Sequence, residues 1–211
     1  MELKQIYAYR ITHIENIPQI ISNGITHKKS KNANPNFVPI GDKSLIDTRS
    51  TKSVFVTNGN STLDSFSTTI ILGNFIPFYF GIKMPMLYVV QKGGNFVEKS
   101  VKAENIIYLA CKITKLTNSN LTYYFSDGHA TDNFTTFYDK SSIKKLPTLV
   151  NWNAVKASFW GGHENLDIRR QKQAEFLVLE DIPFNYIFML GCYNEKAYKR
   201  LVNMGINQNK N

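Results

Sequence analysis

The chain has 211 residues, 43% hydrophobic and 13% aromatic, with a formal net charge of +9 and a pI near 9.4. This length leaves room for one domain with a substantial core, or a domain with a small appendage, and excludes a larger assembly of domains. The excess of Lys and Arg favours polyanionic partners such as a nucleic acid, an acidic membrane surface or a phosphate-bearing cofactor. A merely basic surface is the plain alternative.

In chain order, Ile6 to Ile14 alternates and is rich in β-branched and aromatic residues, which predicts a strand. "NIPQIISNGI" predicts a short helix with Asn16 as cap, Pro18 in the first turn and Gly24 as stop. Residues 27 to 36 form a basic, turn-rich loop. A helical turn carrying Leu45 and Ile46 then precedes a strand at Val54 to Val56. Residues 57 to 69 are polar and irregular and predict an exposed loop. "NFIPFYF" holds a strand, and Pro85 opens a helix closed by Gly93 and Gly94. "ENIIYLACKIT" predicts a strand buried on both faces, and "NLTYYF" another, ending at an Asp127-Gly128 turn.

Residues 131 to 172 are polar and basic, with one amphipathic helix expected over Asn151 to Trp160. "AEFLVLEDIP" and "YIFMLGCY" predict strands. "NEKAYKRLVNMG" predicts a last helix with Asn194 as cap and Gly205 as stop, and the tail "INQNKN" is expected to fray. Strands and helices mix without regular β-α alternation, so the fold class is α+β. No glycine-rich phosphate loop occurs. Cys111 and Cys192 sit in apolar surroundings and read as buried free thiols. His13, His27, His129 and His163 form no metal-binding pattern. The start "MELKQIYAYR" lacks the apolar core of a secretion signal, and no apolar stretch approaches bilayer-spanning length. A cytoplasmic protein with no metal and no membrane association is expected.

Four places could carry chemistry. His13 ends the first strand just before a helix, where side chain and free N–H groups can meet a ligand; a capping or packing histidine is the plain alternative. Arg49 lies in a basic polar segment, where arginine is usually solvated but is also well shaped to fork onto phosphate. Three consecutive aromatics, Phe78, Tyr79 and Phe80, put rings on both faces of a strand, one for the core and one free to wall a flat ligand ring. Glu175 opens a strand on the same face as Leu177 and Leu179, a costly place for an acid unless it is paired or working; an edge-exposed, salt-bridging glutamate is the plain alternative.

With "YRITHIENIPQIISNGI", "PIGDKSLIDTR", "IPFYFGIKMPMLYVV", "FSDGHA", "LVNWNAV" and "QKQAEFLV" in that order, the chain resembles the DarT family of DNA ADP-ribosyltransferase toxins. The resemblance covers about residues 7 to 192. It implies the ADP-ribosyltransferase fold, a split and mainly antiparallel β core with flanking helices and an NAD cleft, as a single domain over residues 1 to 211. It implies transfer of ADP-ribose from NAD to a base in single-stranded DNA, thymine first and guanine as the alternative, with release of nicotinamide and a block to replication. RNA or protein as acceptor, or a non-enzymatic nucleic-acid binder, are the competing readings.

By the same resemblance, Glu175 and Arg49 are catalytic. His13, Ile14, Glu15, Gly24, Ile40, Arg49, Tyr79, Phe80 and Met84 contact NAD, the co-substrate, and about residues 35 to 54 close over it. His129, Lys145, Arg169 and Arg170 meet DNA within a substrate region of about residues 126 to 174. Phe134, Phe137, Tyr138, Trp152 and Trp160 are candidates to stack on bases there, with Trp152 and Trp160 on nearly one face if they share a helix. The implied partners are single-stranded DNA and a cognate antitoxin, an ADP-ribosyl hydrolase, macrodomain or similar, and the protein is expected to be a monomer. Three features depart from the family pattern: a longer loop between Val56 and Asn74, Met84 where serine is frequent, and His129 where asparagine is common after "DG". The first and third lie near the base-selecting regions and leave the target base open, thymine first and guanine as the alternative.

Overall fold

The structure is a computed structural model describing residues 1–60, 68–93, 97 and 99–206. Its strands are β1 (Tyr7–His13), β2 (Ser53–Val56), β3 (Thr68–Ile71), β4 (Ile76–Tyr79), β5 (Ile106–Lys112), β6 (Tyr123–Ser126), β7 (Phe137–Tyr138), β8 (Glu175–Val178) and β9 (Ile187–Gly191). The helices are α1 (Ile17–Asn23), α2 (Lys43–Thr51), α3 (Pro85–Lys92), α4 (Ile113–Thr117), α5 (Leu146–Leu149), α6 (Trp152–Lys156), α7 (Leu166–Gln171) and α8 (Glu195–Asn203).

Among the described residues the strands form one nine-stranded sheet in the order β3-β2-β7-β6-β8-β4-β1-β5-β9. Every pairing is antiparallel except the single parallel pair of β2 with β7, Val56 with Phe137. The sheet parts between β4 and β1, with six strands on one side and three on the other. β1 and β5 pair over seven residues, whereas β1 and β4 share one aligned pair, Tyr9 with Tyr79. The guanidinium of Arg10 reaches across this parting and donates from Nη1 to the carbonyl of Pro77 at 2.9 Å.

The period-2 rule places alternate residues of β8 on opposite faces. Ala174, Phe176 and Val178 enter the main core with Ile76, Phe78, Leu109 and Phe125, while Leu177 enters a second cluster with Val54, Val56, Ile70, Leu72, Phe75 and Phe137. Phe176 is fully buried and stacks on Tyr123 at 5.1 Å between centroids, a contact that fixes the strand's facing. Burial of a side chain of that size stabilises by roughly 1.5–3 kcal/mol. The register between β4 and β8 then sets Tyr79 directly beside Glu175.

Several local expectations give way to tertiary bonds. Asn16 does not cap α1. Its side chain is 1% exposed and is consumed by Thr12 Oγ1, the backbone of Val38 and Asn34. The helix expected over Asn151 to Trp160 ends at Lys156, because the ammonium of Lys172 takes the carbonyls of Val155 and Ala157 at 2.9 and 2.7 Å. Trp152 and Trp160 therefore do not share a helix: Trp152 packs edge-on against Phe80, and Trp160 lies over the ammonium of Lys172. The end of "ACKIT" turns into α4 rather than continuing the strand. β3 begins inside the segment expected to be loop, and much of that segment, residues 61–67, lies outside the described residues, as do Gly94 and the tail from 207. Cys111 is buried, and Cys192 only half-buried.

Candidate active site

At the parting of the sheet lies a cavity of about 350 Å³, at the small end of the range for ligand pockets. β1 supplies Arg10, Ile11 and Thr12 to its walls, and the loop after α1 supplies His27, Asn34, Phe37 and Ile40. α2 adds Leu45, Ile46 and Arg49, the far wall adds Gly73, Phe75 and Tyr79, and His129 comes from the turn after β6.

Three devices hold α2 over this cavity. Asp42 caps its start, accepting from the N–H groups of Ser44 and Leu45 at 2.8 and 3.2 Å. Its far end rests on Gly73, where a Cβ would come within 2.6 Å of Ser50 Cα and 2.7 Å of Ser50 O. Lys52, just past the helix, donates to the carbonyl of Thr131 and to Asn133. No residue of α2 is itself fully buried, so these contacts rather than a core face position the helix.

Arg49, in the last turn of α2, points inward and meets Glu175. Its Nη1 lies 3.0 Å from Oε1 and 2.9 Å from Oε2 of the carboxylate. Oε1 also accepts from the Ala130 N–H at 2.9 Å, while Oε2 and Arg49 Nη2 are buried without a hydrogen-bond partner. The carboxylate is fully buried, and the arginine side chain is 13% exposed. Buried polar atoms are nearly always fully bonded, so a buried ion pair beside a cavity with atoms left unbonded marks a candidate functional site.

Arg10 brings a second guanidinium to the same cavity. Burial lowers its pKa to about 10, with Tyr79 opposing and the charge of Arg49 adding. Burial pushes Tyr79 up, and the neighbouring Glu175 pushes it further. Burial also lowers His129, against the pull of Glu175, so its ring is neutral near pH 7; its Nδ1 is 2.8 Å from Thr131 Oγ1. Arg10, Arg49 and Lys28 against Asp42 on the wall and Glu175 behind it leave the cavity with an excess of positive charge, a setting for a diphosphate.

Of the residues expected at the site, Arg49, Tyr79, Ile40 and His129 meet at the cavity. His13 is half-buried, and its Nδ1 accepts from Glu15 N at 3.3 Å, the capping alternative for a histidine at a strand end. Ile14 is a core residue, and Glu15 pairs with Arg200 at 2.7 Å on the surface. Gly24 closes α1 at φ 78°, pressed against the Ile182 carbonyl. Phe80 and Met84 are packed inside at 5% and 1% exposure, and neither lines the cavity; Met86 does.

On the proposed substrate side, Lys145 and Arg169 are exposed, while Arg170 is held by Asp127 and Asp167. Phe137 and Tyr138 belong to the two cores, which leaves Phe134, 85% exposed, as the open aromatic among those five. The sequence reading missed Arg10, though a charge inside "YAYRITH" is the same signal that singled out Glu175. It also missed Phe159, 69% exposed just before the Gly161-Gly162 pair. Among the described residues, no group of His, Cys, Asp and Glu could hold a metal ion, and no helix is long and apolar enough to cross a membrane.

Comparison with known proteins places this geometry. The chain is 27% identical over 191 residues to a DNA ADP-ribosyl transferase of Thermus sp. (strain 2.9), covering 90% of this chain and 82% of that protein. It is 26% identical over 194 residues to a DNA ADP-ribosyl transferase of Escherichia coli O127:H6 (strain E2348/69 / EPEC), covering 92% and 83%. A DNA ADP-ribosyl transferase-DNA ADP-ribosyl glycohydrolase fusion protein of Thermosipho africanus (strain H17ap60334) is 27% identical over 180 residues, 85% of this chain and 40% of that one.

In three dimensions the fold matches Thermus sp. 2.9 DarT in complex with ADP-ribosylated ssDNA, with TM-score 0.73, 24% identity and coverage of 94% and 87% of the two chains. It also matches the same DarT in complex with NAD+, with TM-score 0.71, 22% identity and coverage of 97% and 90%. The profile of the family described as "ssDNA thymidine ADP-ribosyltransferase, DarT" matches residues 9–209, and the chain belongs to the DarT family.

Proposed function

We propose that the protein transfers ADP-ribose from NAD to a base of single-stranded DNA, with thymine as the acceptor and release of nicotinamide. Family membership supports the NAD-dependent DNA ADP-ribosyltransferase activity. The single observation that carries it to particular residues is the buried Arg49–Glu175 pair, whose arginine lines the cavity with the carboxylate directly behind it.

In this reaction the bond from ribose C1′ to the nicotinamide nitrogen breaks, and its electron pair leaves with nicotinamide. A base nitrogen bonds to C1′ and gives up its proton to solvent water. Positive charge grows on the ribose, as it does in glycoside cleavage. Glu175 is fixed by Ala130 N–H and by its strand register, so it can bond the ribose hydroxyls and oppose that charge at little reorganisation cost. The leaving group is already cationic, and one carboxylate suffices without a general acid.

Arg49 and Arg10 oppose the negative diphosphate, and residues 35 to 54 close over it. Arginine stays protonated, so its role here is electrostatic rather than that of a base. Of the other expected NAD contacts, Ile40 and Tyr79 line the cavity, while His13, Ile14, Glu15, Gly24, Phe80 and Met84 lie outside its lining. A duplex hides the reactive edge of a base, which favours a single strand. Exposed Lys145 and Arg169 suit its phosphates, and His129 in the cavity suits the base.

We read the protein as a cytoplasmic, monomeric toxin whose mark blocks replication. The Thermosipho fusion suggests an antitoxin that is an ADP-ribosyl hydrolase. The test is oligonucleotide mass after incubation with NAD, using single-stranded DNA, RNA of the same sequence and duplex DNA. One added ADP-ribose on single-stranded DNA alone is expected, and on strands lacking guanine but not on strands lacking thymine. Shifts only on RNA would sink the proposal, and shifts only on guanine-containing strands would move the acceptor to guanine.

A further inference from the structure

We infer that Arg170 is a positioning residue for the carboxylate of Glu175 and not a contact to substrate phosphates. The inference rests on the role of Glu175 proposed above.

Arg170 lies in the last turn of α7, five residues before Glu175, and its side chain is only 10% exposed. Its guanidinium joins two pieces of chain. Nε and Nη2 hold Asp167 Oδ1 at 2.9 and 2.8 Å within α7. Nη1 holds Asp127 Oδ1 at 3.2 Å and lies 3.5 Å from Thr135 Oγ1 in the turn after β6. Its backbone carbonyl accepts from His129 N at 2.9 Å.

The turn is shaped around this side chain. A Cβ on Gly128 would come within 2.5 Å of Arg170 Nη1 and 3.0 Å of its Cγ, so the glycine lets the guanidinium in. Asp127 closes the same turn by accepting from Thr136 N at 2.9 Å, and Thr135 Oγ1 donates to the His129 carbonyl at 2.8 Å. Two products of the turn reach the active site. Ala130 N–H bonds Glu175 Oε1 at 2.9 Å, and the His129 ring lines the cavity.

Arg170 therefore locks the donor of that bond to the segment that leads into the acceptor. Its own charge is countered by two carboxylates, which makes it a poor attractor of phosphate. Exposed Arg169, one residue earlier, is in the contrasting position.

The two roles predict different kinetics for Arg170→Gln, which removes the fork and the charge together. The assay uses the full chain, NAD and a single-stranded oligonucleotide. Positioning predicts that kcat falls about 10- to 100-fold, the scale of a misplacement of about 1 Å. KM for the oligonucleotide, and the slope of log(kcat/KM) against log salt, stay at wild-type values. Asp127→Asn lowers kcat in the same direction although it makes the protein more positive, and the double variant is no worse than the weaker single. A raised oligonucleotide KM with a shallower salt slope and normal kcat would overturn the inference, as would a normal kcat in Asp127→Asn.

Hydrogen exchange at the Ala130 amide reads the same lock without any turnover. Faster exchange in Asp127→Asn, with unfolding temperature little changed, is expected, and unchanged exchange refutes the lock. If the wild-type protein modifies no oligonucleotide, the proposed function fails on its own, while the exchange measurement still decides whether Arg170 holds the turn.

Discussion

Glu175→Gln isolates one charge. The amide keeps an oxygen to accept from Ala130 N–H and keeps the side chain's shape, so what vanishes is the negative partner of Arg49 at 2.9–3.0 Å. Removing one member of a buried pair typically costs about 3–5 kcal/mol, because it strands the other charge. Arg49 lines the cavity and is 13% exposed, so it can rehydrate there, which reduces the expected loss to about 2 kcal/mol. For a domain of this size that is a fall of roughly 4–8 °C in unfolding temperature.

NAD should raise the unfolding temperature more in the variant than in the wild type. In the variant the diphosphate meets an unengaged arginine, and in the wild type it competes with Glu175 for it. The rate of oligonucleotide modification should fall by about 10³-fold, the upper range for one lost electrostatic contact to a developing charge. Differential scanning fluorimetry with and without NAD, alongside initial rates by mass spectrometry, checks all three. A variant within tenfold of the wild-type rate, or one as stable as wild type and equally responsive to NAD, would refute this account of the pair.

Gly73→Ala pushes a methyl against Ser50 and so lifts α2; NAD affinity, read by calorimetry, should weaken at least tenfold with a smaller effect on oligonucleotide affinity. Arg169→Gln should weaken binding of single-stranded DNA and reduce its salt slope by about 0.7, leaving NAD affinity unchanged. Asn16→Ala leaves the Val38 N–H and carbonyl without their partner, so stability in urea should fall by about 1–3 kcal/mol. His129, held by burial below its usual 6.5, charges in the unfolded chain first as pH falls. The stability it confers is therefore complete above 6.5 and is lost as pH falls toward its folded value. The advantage in unfolding temperature of wild type over His129→Gln should shrink between about pH 7 and pH 5, and a constant difference would exclude His129 as the cause.

The face assignment of Glu175 was legible because strand alternation is local: Leu177 enters one cluster and Phe176 the other. The first strand, the helix stopped by Gly24 and the helix opened by Pro85 were legible from turn and cap chemistry. The length of α6 was not, because it depends on an ammonium arriving from Lys172, well beyond the helix itself. Asn16 gave a capping signal, and its side chain is used instead to fasten Val38, a long-range bond with no sequence period. Basic residues 169, 170 and 172 look equivalent in a row, yet Arg169 is exposed, Arg170 is pinned between two acids and Lys172 is 1% exposed. Their partners separate them: the turn from 127 to 136 takes Arg170, and the carbonyls of Val155 and Ala157 take Lys172, contacts that no sequence period records.

β8 is inserted between β4 and β6, so the strand that carries the carboxylate has neighbours made long before it in the chain. Arg49, Tyr79 and Ala130 all precede Glu175, and each pairing with it spans a large sequence separation. During synthesis a chain that has reached Ala130 carries Arg49 and Tyr79 but not yet Glu175, and β8 must later enter between β4 and β6. On the role proposed for Glu175, competence arrives late and all at once, and a translation product that stops short of β8 is expected to be inert toward DNA however well its earlier part has folded.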